Sequence, residues 1–304
     1  MMATSTEVFI QHSLFIVNSH EGGCEAKGKY DACATDQRLQ SSHPSAKDST
    51  TISLPDLIVQ NTETSSVPFV SETAFGVWFL RTHTWEHHVL RVAINDLKGL
   101  IDGPLPVRPT IVDVGCGQGV SFRLLAKAFA PQRIVGIDFH EPSLALAEKA
   151  ALACENDSDI AATRIEVLHG DCANLPLGDA SADIVFCHQT FHHLVEQERA
   201  LAEFRRVLKP GGLLLFAEST DAYIKSWVIR LLFRHPMQVQ KSADGYLAMI
   251  RNSGFSFEPR NVSLPYLWWS RAKDFGLLER IGLYAPKPGK RRETLVNVAA
   301  VKTI

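Results

Sequence analysis

Three carboxylates and a run of alternate glycines are the residues best placed to do chemistry. Asp113 precedes Gly115, Cys116, Gly117, Gln118 and Gly119. Asp138 and Phe139 close the next apolar run, Asp171 and Cys172 follow the third, and His188, His192 and His193 follow the fourth. Glycine lets a backbone approach a ligand, and the start of a following helix offers unpaired N–H groups and a partial positive charge. A carboxylate ending the second strand is placed to accept both hydroxyls of a ribose. An acid with backbone N–H groups after the third can read an adenine edge. Together they describe a seat for an adenosine-bearing cofactor. The histidines lie where a second reactant should sit, as lining or as a base. His188 and His192 have the i, i+4 spacing of a metal pair on a helix, yet no cysteine or acid nearby completes a tetrahedral set, and no metal is expected.

Such groups need rigid elements to hold them. Residues 111–114 are β-branched and apolar and read as a buried parallel strand, and 120–129 follow with helical spacing. Residues 133–138 are a second strand. Pro142 sits early in a helix continuing over 143–153. Strands are expected at 164–169 and 182–187, then a helix at 197–208 with Leu201, Phe204 and Leu208 on its core face. Lys209-Pro210-Gly211-Gly212 turns the chain into a fifth strand, 213–218. Strand alternating with helix predicts a parallel sheet covered on both faces. Upstream, Phe75 to Leu97 carries helical spacing as two helices. Downstream, Tyr223, Ile224, Trp227, Val228, Leu231 and Leu232 share one face of a helix, and another runs from 242 to 253. Strands at 255–262 and 294–301 flank Tyr266-Leu267-Trp268-Trp269 and a short helix at 275–281.

NAD and S-adenosylmethionine (SAM) both use this arrangement. The loop is GxGxG rather than GxGxxG, with Val120 where a pyrophosphate fold needs its third glycine. Asp113 suits a cofactor carrying ammonium and sulfonium charges and would be awkward beside a pyrophosphate. On these residues the chain resembles the class I SAM-dependent methyltransferases, and among them the ubiquinone/menaquinone-type small-molecule enzymes. Residues 112–119 are similar to the family's first motif, Asp138 to its ribose-binding acid, Asp171 and Cys172 to its adenine-contacting step, 183–194 to its fourth-strand segment and 206–212 to its turn before strand five. The resemblance covers about residues 75–302. It implies a Rossmann-like α/β fold: a seven-stranded, mostly parallel sheet with helices on both faces and an antiparallel strand seven between five and six. It implies SAM as cofactor and S-adenosylhomocysteine as product, with Asp113, Gly115, Cys116, Gly117, Gly119, Asp138, Phe139, Asp171, Cys172 and His188 around them. His188, His192 and His193 are the candidates for a base.

The chain of 304 residues is 45% hydrophobic with a net charge of −2. Nothing in that balance calls for nucleic acid. No Asp/Asn-Pro-Pro-aromatic segment follows strand four, where a nucleic-acid amine methyltransferase would carry it. Six cysteines without a CxxC pair point to reduced thiols and a cytoplasmic setting. No run is long and apolar enough to cross a membrane, although the aromatic face at 223–234, flanked by Lys225, Arg230 and Arg234, allows peripheral contact. Residues 1–66 are expected to be an irregular, partly disordered extension with a short element near 8–17. Residues 67–304 form the catalytic domain: cap helices to 104, the SAM-binding core to 220, substrate-side helices and inserts with strand six to 293, then strand seven. Trp78, Trp85, Trp227, Phe233, Trp268 and Trp269 would roof a pocket for a small apolar or aromatic acceptor. A nicotinamide-dependent oxidoreductase and a non-catalytic SAM-binding subunit are the competing readings.

Overall fold

The computed structural model describes residues 73–160, 162–265 and 293–303, all within the unit Glu63–Ile304. The expectations for residues 1–66 and for 266–281 lie outside them.

Five parallel strands form the frame: β1 (Thr110–Val114), β2 (Arg133–Asp138), β3 (Arg164–His169), β4 (Ala182–His188) and β5 (Leu208–Ser219). Three further strands are β6 (Phe255–Ser256), β7 (Val262–Ser263) and β8 (Leu295–Lys302). The order across the sheet is β3-β2-β1-β4-β5-β8-β6, with β7 also on β8. β8 runs antiparallel to β5, β6 and β7. This is the Rossmann-like sheet, with its last strand reversed between the fifth and sixth positions.

Strand alternation divides the core. Val112, Val114, Val185, Leu214 and Phe216 face Leu201, Phe204, Tyr246 and Ile250 on one side. Ile111, Ile134, Ile184, Phe186 and Leu215 face Leu97, Phe122, Leu125 and Ala147 on the other. The covering helices are α1 (Ala74–Phe79), α2 (His83–Trp85), α3 (Arg91–Gly99), α4 (Val120–Phe129), α5 (Glu141–Glu155), α6 (Gln197–Val207), α7 (Asp221–Ile224), α8 (Trp227–Leu232) and α9 (Ala243–Asn252). A wide π-turn, Glu86–Leu90, joins α2 to α3 without a break in helical backbone. The two cap helices expected upstream are therefore α1 and one composite helix.

Three expectations change in detail. The sixth strand is not continuous over 255–262. Pro259, which has no N–H for a ladder, opens a tight turn at Pro259–Asn261, and Asn261 there donates to Leu100 O at 2.9 Å. Strand five begins at Leu208, opposite Ala182, and pairing resumes at Leu213 opposite Ile184. Lys209 to Gly212 are thus an excursion within one long strand, tied down by Lys209 Nζ donating to Asp183 Oδ1 at 2.7 Å. The helix expected over 223–232 breaks at Ser226, which is extended (ψ 148°). Tyr223, Ile224 and Ile229 turn inward, whereas Trp227 and Leu231 are 70% and 71% exposed.

Candidate functional site

The carboxyl ends of β1, β2 and β4 open onto a cavity of about 290 Å³. β1 delivers Asp113 and the glycine loop, β2 delivers Asp138 and Phe139, and β4 delivers His188. Two glycines show what the loop is for. Gly117 has φ 54° and nothing within 4 Å of where a Cβ would stand, so its backbone is open to the cavity. Gly119 caps α4 with φ 75°, and a Cβ there would fall 2.6 Å from the Phe122 ring. One glycine lets a ligand approach; the other lets α4 start against its own first turn.

The carboxylates hold this geometry themselves. Asp138 Oδ2 accepts from Gly117 N at 2.8 Å, and its Oδ1 accepts from His140 N at 2.8 Å. Asp171 Oδ1 accepts from Ala173 N at 2.9 Å, closing the turn that carries Cys172. Asp113 is buried and accepts the Ser121 hydroxyl. Burial pushes its carboxyl up to about 7, the neighbouring Asp138 adds to this, and the Ser121 bond opposes it. Burial likewise raises the Cys116 and Cys172 thiols, so neither is a thiolate near neutrality.

Asp113, Gly115, Cys116, Gly117, Asp138, Phe139, Asp171, Cys172 and His188 all line the cavity. Gly119 stands behind it as the helix cap.

The histidines separate. His188 stacks on Phe186 (centroids 6.0 Å apart) and packs on Trp85 at 5.6 Å. Burial, then His192, brings it down to about 3, so it is a neutral wall and a poor base. His193 lines the same cavity and is also held well below its ordinary value by burial. His192 does not line it. Its Nδ1 lies 2.6 Å from Glu218 Oε2 in the interior.

A second, apolar chamber of about 80 Å³ adjoins the first through Leu80, Trp85, Gln189 and His193, which line both. Phe79, Val89, Tyr223, Ile224, Ile229 and Phe233 form its walls, with His192 and His235 among them. Of the aromatic residues expected to roof a pocket, Trp85 and Phe233 do so. Trp78, 59% exposed, and Trp227 face outward, and Trp268 and Trp269 lie outside the described residues.

No spacing in the sequence marks Glu218 or His235 as site residues. Glu218 accepts from Thr190 N, Phe191 N, His192 Nδ1 and Cys187 Sγ. The one legible signal for it was an acid ending an apolar strand. His235 arrives from beyond α8.

The sequence profile of the family described as a methyltransferase domain matches residues 112–216, from β1 into β5. The chain carries a SAM-dependent methyltransferase domain. The chain is 33% identical over 105 residues to a protein of Mycolicibacterium smegmatis named a probable SAM-dependent methyltransferase. That alignment covers 34% of this chain and 36% of the relative, so the chain spans about a third of its length. It is 27% identical over 192 residues to the demethylmenaquinone methyltransferase of Staphylococcus epidermidis, covering 60% of this chain and 72% of that one. In fold it is similar to a Haloferax volcanii chain solved as a complex with the Trm112 methyltransferase activator, with TM-score 0.52, 21% identity, and 76% and 96% of the two chains covered. SAM is the cofactor of this family. The methyltransferase domain fits it on its own chemistry: an open glycine backbone, a strand-end carboxylate, and a buried acid that gains from a cationic neighbour.

Proposed function

We propose that the protein transfers the methyl group of SAM to a small apolar or aromatic acceptor. The observation that carries this reading is the apolar chamber beside the cavity of the glycine loop, which shares Leu80, Trp85, Gln189 and His193 with it. SAM supplies a methyl group activated by its sulfonium. The chain has to hold the two reactants in line and keep water away, and orientation of that kind is worth roughly 7–11 kcal/mol. Gly117 and its neighbours receive the cofactor along their backbone, Asp138 holds its ribose, and Asp171 with the N–H groups after it reads the adenine. Asp113 answers the positive charge. Trp85 lines both the donor cavity and the acceptor chamber, His188 lines the donor side, and the ring of Phe79, Tyr223, Ile229 and Phe233 excludes water. A demethylated quinone, the acceptor in the relative's name, shares the apolar and aromatic character of these walls. Trp227 and Leu231, outward beside Arg230, are consistent with contact at a lipid surface from which an apolar acceptor would come.

The deciding experiment is calorimetric. Wild-type protein should bind SAM and S-adenosylhomocysteine and ignore NADH. Asp138→Ala removes both the ribose acceptor and the brace on Gly117 N, and is expected to lower affinity for both ligands at least a hundredfold while leaving thermal unfolding cooperative. Unchanged affinity in that variant, or NADH binding without SAM binding, refutes the reading.

A further inference from the structure

His192, His193 and His235 form a cluster that the transfer of a methyl group does not require. One ring nitrogen from each lies within 4.8 Å of the others. Their rings are 4.3, 5.0 and 4.8 Å apart, centroid to centroid. They meet at the apolar chamber, whose walls all three join. His192 is oriented as ligating histidines are. Its Nδ1 is engaged by the Glu218 carboxyl at 2.6 Å, which fixes the ring and leaves Nε2 as its lone-pair nitrogen. Glu218 is itself wholly buried and held by Thr190 N and Phe191 N at 2.8 and 2.7 Å, so the brace on His192 is rigid.

We propose that His192, His193 and His235 bind one divalent late first-row metal ion, with zinc the preferred species. Three imidazoles with a carboxyl behind one of them are the donor set of an open zinc site, in which the fourth position is left to water or an incoming oxygen. Zinc–nitrogen bonds of about 2.0–2.1 Å at a tetrahedral angle put ligand atoms about 3.4 Å apart. The cluster therefore has to contract from its present spacing. His193 and His235 are half-buried and His192 is buried, so the contraction falls on the first two. A sequence reading finds no such site because His235 comes from a distant part of the chain, and the pair it does suggest, His188 and His192, diverges: His188 faces the cofactor cavity and His192 the chamber.

The test uses the full chain without a histidine tag, stripped with chelator and titrated with zinc by calorimetry. Cobalt is then substituted to read the absorption of a nitrogen-rich, low-coordinate site. The expected result is one ion per chain. His235→Ala and His235→Gln should each weaken it more than tenfold. Glu218→Gln presents an N–H₂ group to His192 Nδ1, favouring the tautomer whose Nε2 carries the proton, and should weaken it about 10- to 100-fold. S-Adenosylhomocysteine binding checks that each variant is folded. The exposed pair His83 and His87, with Nε2 atoms 2.6 Å apart, is the control, and His83→Ala should leave the affinity unchanged. No saturable binding by wild type overturns the proposal. So does wild-type affinity in folded His235→Gln and Glu218→Gln, or loss of binding on His83→Ala alone.

Discussion

Asp113→Asn is expected to make the ligand-free protein more stable above neutral pH and to weaken its hold on SAM. Asp113 is buried at the end of β1 with its carboxyl raised to about 7, against about 3.9 in an unfolded chain. Between those values the folded state keeps a proton that the unfolded state has released. Stability contributed by this group is therefore full below about pH 4 and falls as pH rises to about 7, where it levels off. The difference corresponds to roughly 4 kcal/mol. Asparagine still accepts from Ser121 and carries no charge to bury. Urea unfolding of the two proteins should agree near pH 4 and diverge progressively up to pH 7, with the variant the more stable. SAM affinity should behave in the opposite way. A cationic ligand favours the ionised acid, so wild-type affinity rises as pH passes through 7, and binding at pH 6 releases about one proton. The variant should bind more weakly with a flat profile. Identical unfolding curves at pH 8 would remove Asp113 from this role.

Glu218→Ala should be the most damaging single change to the folded state. Two backbone N–H groups, an imidazole and a thiol converge on this one carboxyl at the end of β5, and its side chain is wholly buried. Truncation strands the N–H groups of Thr190 and Phe191 and the Nδ1 of His192, the last two in the buried interior. Removing one partner of a buried ionic or hydrogen-bonded group costs about 3–5 kcal/mol. Since several donors are left, the loss is expected at the upper end of that range, read as a lowered urea midpoint with an unchanged slope. Glu218→Gln, which keeps one acceptor for the backbone pair, should lose less than half as much. Equal losses in the two variants would mean that packing volume, not hydrogen bonding, is what Glu218 supplies.

The frame was legible because its determinants are local. Residues 111–114 and 133–138 are β-branched runs with a carboxylate at or next to the end, and in the fold those ends meet at one cavity. Gly115, Gly117 and Gly119 set the loop through their own dihedrals, all of them at positive φ. The acceptor side was not legible in the same way. Periodicity placed Tyr223 and Trp227 on one face of one helix, yet Ser226 breaks the helix and sends them in opposite directions. Aromatic content could not say which rings turn inward: Trp85 reaches His188, while Trp78, on the preceding helix, does not line either cavity. Beyond its place near the end of an apolar strand, Glu218 is recognisable by what donates to it, and two of those donors are backbone groups with no signature in residue type. His235 meets His193 through tertiary packing alone.

The π-turn at Glu86–Leu90 has a bearing on how this pocket can change over time. A widened turn holds one residue more than the α-helical ladder around it, and each residue advances a helix by about 100°. Trp85, which packs on His188, lies on one side of the turn, and Val89 and Leu90 in the turn are buried beside Ala93 and Ile94 of α3. Loss of a single codon in this stretch would restore regular winding and leave the anchored C-terminal half in place. The N-terminal half would swing by about that angle and carry Trp85 off the cavity wall. The shape of both cavities can therefore change by insertion or deletion within the cap, with no substitution in the glycine loop or at Asp138 or Asp171.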